Sequence, residues 1–135
     1  MYDFQDIREL LIDTMHSNED AIQYFVTKLN DKEMLKLLVR IAVDDEGYGG
    51  DAPVATGDYI HQYPVEWLVE YEDVFLSILR REYSDVRTED IAIALAKFGS
   101  AKAKPLIEGE IEELKWGPRC DRLKLALDLY EKENT

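Results

Sequence analysis

Apolar residues recur at intervals of three or four positions in roughly the first 44 residues, which is the spacing of a helix with one buried face. Three such stripes follow one another: Phe4, Ile7, Leu11 and Met15, then Ala21, Ile22, Phe25, Val26 and Leu29, then Met34, Leu37, Leu38 and Ile41. Ser17 and Asn18 offer N-cap side chains to the second stripe, and Asn30 predicts a capping box before the third. The pattern therefore predicts three helices, whose short connections make neighbours fold back on each other.

The helical spacing stops at residues 44–57, DDEGYGGDAPVATG, where four glycines and one proline occur. We expect one long loop here, because glycine supplies flexible and positive-φ positions. One or two helical turns are predicted at residues 58–62. Pro64 suits the first position of the helix that follows, where the missing N–H of proline does no harm.

Helical spacing returns after this loop. The next stripe consists of Val65, Leu68, Val69, Val74, Phe75, Ile78, Leu79 and Tyr83. It predicts one helix, or two helices broken near Tyr71 and Glu72. Thr88 is the predicted N-cap of the following helix, and Glu89 and Asp90 stand in its first turn, where carboxylates meet the positive end of the helix dipole.

The last third of the chain contains strong helix boundaries. Gly99 ends one helix, Pro105 lies near the start of the next, and Gly117-Pro118 separates that helix from the last one. The last helix carries a regular stripe of Leu123, Ala126, Leu127 and Tyr130. No alternating β-branched segment is long enough to indicate a sheet, so we predict an all-α protein of seven to nine helices.

The segment from Asp90 to Leu114, DIAIALAKFGSAKAKPLIEGEIEEL, resembles a HEAT-type helical repeat. It has an Ala/Leu-rich helix, a Phe-Gly stop, a short turn, and Pro-Leu-Ile at the start of a second helix. The resemblance covers about a fifth of the chain. It implies close helix approach at the small residues Ala92, Ala94 and Ala96. We expect residues 1–135 to form a single all-helical domain, an irregular stack of HEAT-like helical hairpins.

The composition indicates an acidic, folded protein. The 135 residues include 29 Asp and Glu against 16 Lys and Arg, a formal charge of −13, and 46% apolar residues are too many for a disordered acidic tail. The sequence shows neither an apolar run of membrane-spanning length nor the pattern of a signal peptide, so we expect a cytoplasmic protein. The negative charge disfavours direct binding to nucleic acid or to anionic membranes, and favours basic partners.

Candidate catalytic and metal-binding residues are few. His16 and His61 are far apart in sequence, and neither stands in a metal-binding motif. Cys120 follows Arg119 near a helix start, which lowers a thiol pKa, but no histidine lies near it in sequence. We therefore predict no enzymatic activity, no cofactor and no metal centre. An alternative that stays open is a small hydrolase or metal-dependent enzyme that uses His61 with Asp44, Glu46 or Asp58.

The glycine-rich segment also aligns partly with a calcium-binding loop. Asp44, Glu46 and Gly49 would take positions 1, 3 and 6. Tyr48 and Ala55 would then take two ligand positions, including the bidentate acid at position 12, and neither can fill them. An EF-hand is therefore rejected, and a looser divalent site at Asp44, Glu46 and Asp51 stays open.

The distribution of charge is the sharpest feature of the sequence. No Lys or Arg occurs between Arg40 and Arg80, and residues 41–79 contain nine of the 29 carboxylates and carry a charge of −9. Tyr and Trp residues stand among these acids, a combination typical of sites that bind basic proteins. Trp67 and Phe75 are predicted to be core residues. The predicted partner-binding residues are Asp44, Asp45, Glu46, Tyr48, Asp51, Asp58, Tyr59, Glu66 and Glu70, with Tyr48 and Tyr59 exposed.

A small, acidic, all-helical chain without a catalytic constellation resembles the immunity proteins of bacterial toxin systems, including those of contact-dependent growth inhibition. The resemblance lies in size, helical hairpins and a polarised acidic surface, and it transfers no residue roles. It implies a cytoplasmic, stoichiometric inhibitor of a basic toxin domain, often a nuclease. Carboxylates from Asp44 to Asp73 would pair with the toxin's Lys and Arg and exclude its substrate.

Two further interpretations stay open at this point. A HEAT-like adaptor or scaffold would join cellular proteins through an apolar groove between hairpins, and its binding would resist salt. Alternatively, the carboxylates would only keep a small domain soluble, with the aromatic residues buried as ordinary core.

Overall fold

The computed structural model describes residues 2–44, 51–81 and 84–134, and these residues form helices and turns without any strand. The helices of these ranges are α1 (Phe4–Met15), α2 (Glu19–Val26), α3 (Lys32–Ala42), α4 (Asp51–Ile60), α5 (Val65–Leu68), α6 (Glu72–Leu79), α7 (Val86–Lys97), α8 (Ala103–Leu114) and α9 (Pro118–Glu133). A 3₁₀ turn, Val69–Tyr71, connects α5 to α6. The predicted all-α class is confirmed. None of the described helices has the length and apolarity needed to cross a membrane.

The first three helices match the apolar stripes of the sequence. Asn18 caps α2, as predicted, and its side-chain oxygen accepts a hydrogen bond from the Ala21 N–H at 3.1 Å. The N-cap of α3 is Asp31 and not Asn30. Asp31 has extended backbone angles, and its carboxylate accepts the N–H groups of Glu33 and Met34. A carboxylate offers an anionic acceptor to the positive end of the helix, which strengthens this cap.

The long loop predicted at residues 44–57 is wrong in its second half, because α4 begins at Asp51. The inner face of α4 is buried and consists of Ala52, Pro53, Ala55, Thr56, Gly57, Tyr59 and Ile60. Gly57 serves close packing here and not a turn. A Cβ atom at position 57 would lie 2.8 Å from Cβ of Asp90 on α7. The first half of the loop, residues 45–50, lies outside the described residues.

The break predicted near Tyr71 and Glu72 is confirmed. The chain passes from α5 through the 3₁₀ turn into α6, which starts at Glu72. Pro64 is the N-cap of α5, one position before the first helical residue. Phe75 is fully buried as predicted, and Trp67 is only partly buried.

Helix α7 is the centre of the structure. Every residue from Arg87 to Ala96 is buried, and α7 packs most extensively against α9 and α4. Its N-cap is Asp85 and not Thr88. The Asp85 carboxylate accepts the Arg87 N–H at 2.9 Å, and the Thr88 hydroxyl accepts the Asp85 N–H at 3.3 Å. Thr88 therefore completes a capping box from inside the helix.

The segment that resembles a HEAT repeat forms α7 and α8. These two helices contact each other less than each of them contacts α9. The small residues Ala92, Ala94 and Ala96 are fully buried, as close packing of α7 requires. The predicted irregular helical stack is confirmed, with α9 rather than α8 as the main partner of α7.

Candidate protein-binding surface

The predicted partner-binding residues fall into three groups in the structure. Asp45, Glu46 and Tyr48 lie outside the described residues. The exposed members are Asp51, Asp58, Glu66 and Glu70. Asp44 is partly buried and pairs with Arg8 of α1 at 3.6 Å, whereas Tyr59 is buried.

The prediction that Tyr59 is exposed is wrong. Its side chain is 3% exposed, and its ring lies 5.0 Å from the ring of Phe25 on α2. The glycines and acids around Tyr59 suggested an exposed side chain, but the residue lies on the inner face of α4. Burial raises the pKa of its hydroxyl, as expected for a phenol in the core. Tyr59 therefore packs in the core beneath the exposed face of α4.

Asp51 and Asp58 are displayed on the outer face of α4. They stand seven positions apart, which is about two helical turns, so they share one side of the helix. Both are exposed, and Val54 lies partly exposed between them. Because the opposite face of α4 is packed against α1, α3 and α7, these carboxylates project from a fixed support.

A groove runs beside this face, and we call it the α4 groove. Its volume is about 290 Å³, and it is lined by Thr14, Met15, Ile22, Val54, Ala55, Asp58, Tyr59, Val86, Asp90 and Arg122. Its apolar wall includes Met15 and Val86, which are each 47% exposed. Exposed apolar side chains beside carboxylates are the combination found in protein interfaces. The sequence analysis missed Met15, Ile22 and Val86, because they come from three other parts of the chain.

The floor of the α4 groove is a buried ion pair. Asp90 is 2% exposed, and its Oδ1 lies 2.6 Å from Nη2 of Arg122 on α9. Burial raises the pKa of Asp90 to about 6, and Arg122 partly opposes this shift. At the rim, Asp58 is exposed and lies 4.0 Å from Nε2 of His61. The groove therefore contains one paired and one accessible carboxylate.

A second ion pair lies next to the first. Glu89 is 1% exposed, and its Oε1 accepts a hydrogen bond from Nε of Arg119 at 2.7 Å. Glu89 lies in the first turn of α7, as predicted, and Asp90 follows it. The sequence did not reveal that arginines of α9 pair with both acids. Cys120 is fully buried, which removes the basis for a reactive thiol.

The hydrolase alternative finds little geometric support. Glu46 lies outside the described residues; of the two candidate acids that the structure describes, Asp44 pairs with Arg8 and Asp58 lies near His61. Burial, together with Lys97, lowers the pKa of His61 to about 4. Lys97 also donates a hydrogen bond to the His61 carbonyl oxygen. In the described ranges, no three His, Cys, Asp or Glu side chains converge as a metal site would require.

Glu70 lies apart from Asp44. Burial raises the pKa of Tyr71, and the negative charges of Glu70 and Glu33 raise it further, so both carboxylates lie near Tyr71 and Glu70 lies near the start of α3. Asp44 follows the end of α3, eleven positions after Glu33, which is about 16 Å at 1.5 Å per residue. Glu70 and Asp44 therefore do not belong to one compact patch.

No protein-family model, curated protein or solved structure matches this chain. The chemistry of the α4 groove is therefore the basis for assigning a function. The exposed acids Asp51, Glu66, Glu70 and Asp73 form no ion pair with any cation in the part of the chain that the structure describes.

Proposed function

We propose that this protein is a cytoplasmic, stoichiometric inhibitor of the immunity-protein type, which binds a basic toxin domain such as a nuclease through the α4 groove. The observation that carries the proposal is that the exposed Asp58 lines one groove with the exposed apolar residues Met15 and Val86. Asp51 stands two turns away on the same side of α4. The partner would place Lys or Arg against the carboxylates and an apolar side chain into the groove.

Charge supports this proposal. Residues 41–79 contain nine carboxylates and no Lys or Arg, and self-repulsion of like charges opposes folding. A basic partner would relieve this repulsion in the complex. It would also be attracted over long range, which speeds association at low ionic strength.

The apolar wall supports it independently. Single exposed apolar residues are common on protein surfaces, but Met15 and Val86 line the same groove as Ile22 and Val54. Apolar side chains surrounded by polar groups are the usual centre of binding energy in protein complexes. A purely solubilising acidic surface would not need such a wall.

The inferred mechanism is occlusion. A nuclease holds the phosphates of its substrate with Lys and Arg. If Asp51 and Asp58 pair with those cations, the substrate has no place to bind while the inhibitor is present. The inhibitor needs no chemistry of its own, and one copy neutralises one toxin.

The experiment starts from affinity capture of the tagged protein from its own cells, at low salt after nuclease treatment, with elution by increasing salt. A basic protein recovered in equal amount is then produced and tested for toxicity. Wild-type chain should relieve that toxicity, and Asp51→Lys/Asp58→Lys should fail to do so and should bind at least tenfold more weakly. Undiminished protection by the variant would contradict the proposal.

The matched control uses α8, which contributes no residue to the lining of the α4 groove. Glu108 and Glu112 are exposed and stand one turn apart on this helix. Glu108→Lys/Glu112→Lys changes the net charge equally. It should bind like wild type within about twofold, because neither residue lines the α4 groove.

A second candidate function, an adaptor that joins cellular proteins, is favoured by the same apolar wall. Binding dominated by that wall would persist at high salt, whereas binding dominated by carboxylates would collapse. Met15→Ser/Val86→Ser separates the two functions. It would abolish adaptor binding, and it would weaken inhibitor binding while leaving the salt dependence in place.

A further inference from the structure

The surface of α3 carries a line of cations in this acidic protein. Lys28, Lys32, Lys36 and Arg40 follow one another at intervals of four residues, and the last three are exposed on α3 itself. Residues four apart lie on the same side of a helix. Lys32, Lys36 and Arg40 therefore form a basic stripe on one side of α3, in a molecule whose net charge is −13. Lys28 precedes the stripe, in the turn between α2 and α3.

Aromatic rings hold three of these cations in place. Lys28 lies 5.3 Å from the ring centre of Tyr24, Lys32 lies 5.2 Å from that of Trp67, and the Arg40 guanidinium lies 4.4 Å from that of Phe4. Cation–π contacts of this kind orient a charge without neutralising it. None of the four cations forms an ion pair with a carboxylate of residues 2–44, 51–81 or 84–134.

A groove lies along the stripe, and we call it the α3 groove. It has a volume of about 500 Å³ and is lined by Tyr2, Asp31, Glu33, Lys36, Leu37 and Arg40. Tyr2 and the partly buried Leu37 supply apolar surface, and Lys36 and Arg40 supply positive charge. The groove therefore combines cations with an apolar contact.

One of the two acids in the α3 groove already accepts hydrogen bonds from the protein itself. The Asp31 carboxylate accepts hydrogen bonds from the Tyr2 hydroxyl and from the first N–H groups of α3. Its oxygens are therefore committed to the fold, and only Glu33 remains as a free acid at the rim. Asp31 keeps its negative charge, and Lys28 lies near enough to interact with it electrostatically. Lys32, Lys36 and Arg40 outnumber the remaining acid Glu33, so this surface favours an anionic ligand.

We propose that the α3 groove binds an acidic peptide segment of a second protein. Carboxylates of that segment would contact Lys36 and Arg40, and an apolar side chain would lie between Tyr2 and Leu37. Charge complementarity is the argument for this occupant. Nucleic acid fits less well, because the apolar surface of Tyr2 and Leu37 accommodates an aliphatic side chain, which a phosphate chain does not offer. The proposal concerns a different surface from the α4 groove, so either proposal can fail alone.

The test is fluorescence anisotropy with a labelled peptide of three Glu-Glu-Leu-Ala repeats, whose leucines recur every four residues as the cations do. Wild-type protein should bind the peptide at low salt. Lys36→Glu/Arg40→Glu should weaken binding at least tenfold, and Lys36→Gln/Arg40→Gln several-fold, with unchanged helical circular dichroism. If charge reversal impairs folding, Lys36→Gln/Arg40→Gln provides the test of the proposal instead.

The control replaces two exposed lysines away from the groove. Lys102→Glu/Lys124→Glu makes the same change in net charge and should retain binding within about twofold. Equal losses in both charge-reversal variants would overturn the proposal, as would the absence of wild-type binding. Equally tight binding of a labelled oligothymidine of the same length would assign the stripe to polyanions in general and would also overturn it.

The α3 groove could instead bind a second copy of this chain, and a further measurement separates that case. Helix α8 exposes Glu108, Glu112 and Glu113, which offer the required charge. A mass in light scattering that rises with concentration, and returns to the monomer value in Lys36→Glu/Arg40→Glu, would assign the groove to self-association. That result would overturn binding of a separate partner.

Discussion

The Glu89 carboxylate and the Arg119 guanidinium form an ion pair of 2.7 Å that joins the first turn of α7 to the first turn of α9. Arg119 also donates hydrogen bonds to the Ser84 hydroxyl and to the Asp85 carbonyl oxygen, each at 3.0 Å. The guanidinium therefore connects the start of α7 with α9 through three separate acceptors. Since α7 is the most buried helix, this connection fixes the position of α9 and, through Asp90, the floor of the α4 groove.

Removal of Arg119 should destabilise the fold strongly. Arg119→Ala leaves Glu89 buried without its ion-pair partner, and breaking a buried pair from one side typically costs about 3–5 kcal/mol. We expect a loss of about 3 kcal/mol in the free energy of unfolding, measured by urea denaturation. Arg80→Ala, at an exposed position on the C-cap of α6, should change it by less than about 0.5 kcal/mol. Equal effects of the two substitutions would contradict a structural role for the ion pair.

The stability of the protein should depend on pH through Glu89. Burial raises the pKa of Glu89 from 4.5 to about 7, although the hydrogen bond from Arg119 opposes the shift. Between these two values the folded chain keeps a proton that the unfolded chain releases, so stability falls as pH rises through this window. Glu89→Gln should remove about 2 kcal/mol of the change in unfolding free energy between about pH 5 and about pH 8.

Two other groups must be separated from that effect. The raised pKa of Asp90, about 6, acts in the same direction as Glu89. The lowered pKa of His61, about 4, acts in the opposite direction, because the unfolded chain takes up the proton first and stability rises with pH up to about 6.5. His61→Gln should therefore steepen the decline of stability with pH, while Glu89→Gln flattens it. Parallel pH profiles of wild type and Glu89→Gln would disprove the prediction.

Gly57 and Gly109 should respond in opposite ways to replacement by alanine, although both are helical. A Cβ atom at position 57 would lie 2.8 Å from Cβ of Asp90, so Gly57→Ala should lower the free energy of unfolding by about 1–3 kcal/mol. A Cβ atom at position 109 meets no atom within 4 Å. Gly109→Ala should raise the free energy of unfolding by about 0.5–1 kcal/mol, through helix propensity. Thermal denaturation of the two variants checks the signs, and a stabilised Gly57→Ala would refute the close approach of α4 to α7.

Lys115 carries backbone strain at the end of α8. Its φ of 71° and ψ of −45° are unfavourable for a side-chain-bearing residue, and its N–H still donates to the Ile111 carbonyl oxygen at 2.8 Å. Lys115→Gly should raise the free energy of unfolding by about 1 kcal/mol, because glycine adopts positive φ without penalty. Lys124→Gly, inside α9, should lower it by a similar amount. Chemical denaturation should show these opposite signs, and a loss of stability in both variants would exclude strain at Lys115.

Local spacing was sufficient to predict much of the fold. The stripes that define α1, α2 and α3 are confirmed, as is the break at Tyr71, because a helix needs only a repeated apolar side and suitable ends. The N-caps of α3 and α7 were misplaced by one and three residues. Several polar residues near each helix start are chemically able to cap it, and the backbone angles, which the sequence does not specify, select one of them.

Helix α4 marks the limit of local reasoning. Its glycine, alanines and acids suggested a loop, and their role is visible only when α7 lies against them. Gly57 is needed because Asp90 is close, and Tyr59 is buried because Phe25 lies beside it. Both reasons are contacts between residues more than 30 positions apart in sequence.

The sequence by itself determined the helical class, the concentration of charge in residues 41–79 and the candidate acids Asp51 and Asp58, because composition and periodicity depend only on the order of residues. Tertiary structure alone decided which apolar side chains stand beside those acids. It also decided that two acids of α7 are paired with arginines of α9 and that cations of α3 line a separate groove. Packing brings distant segments together, and burial then determines which charges are neutralised inside the protein and which remain available to a partner.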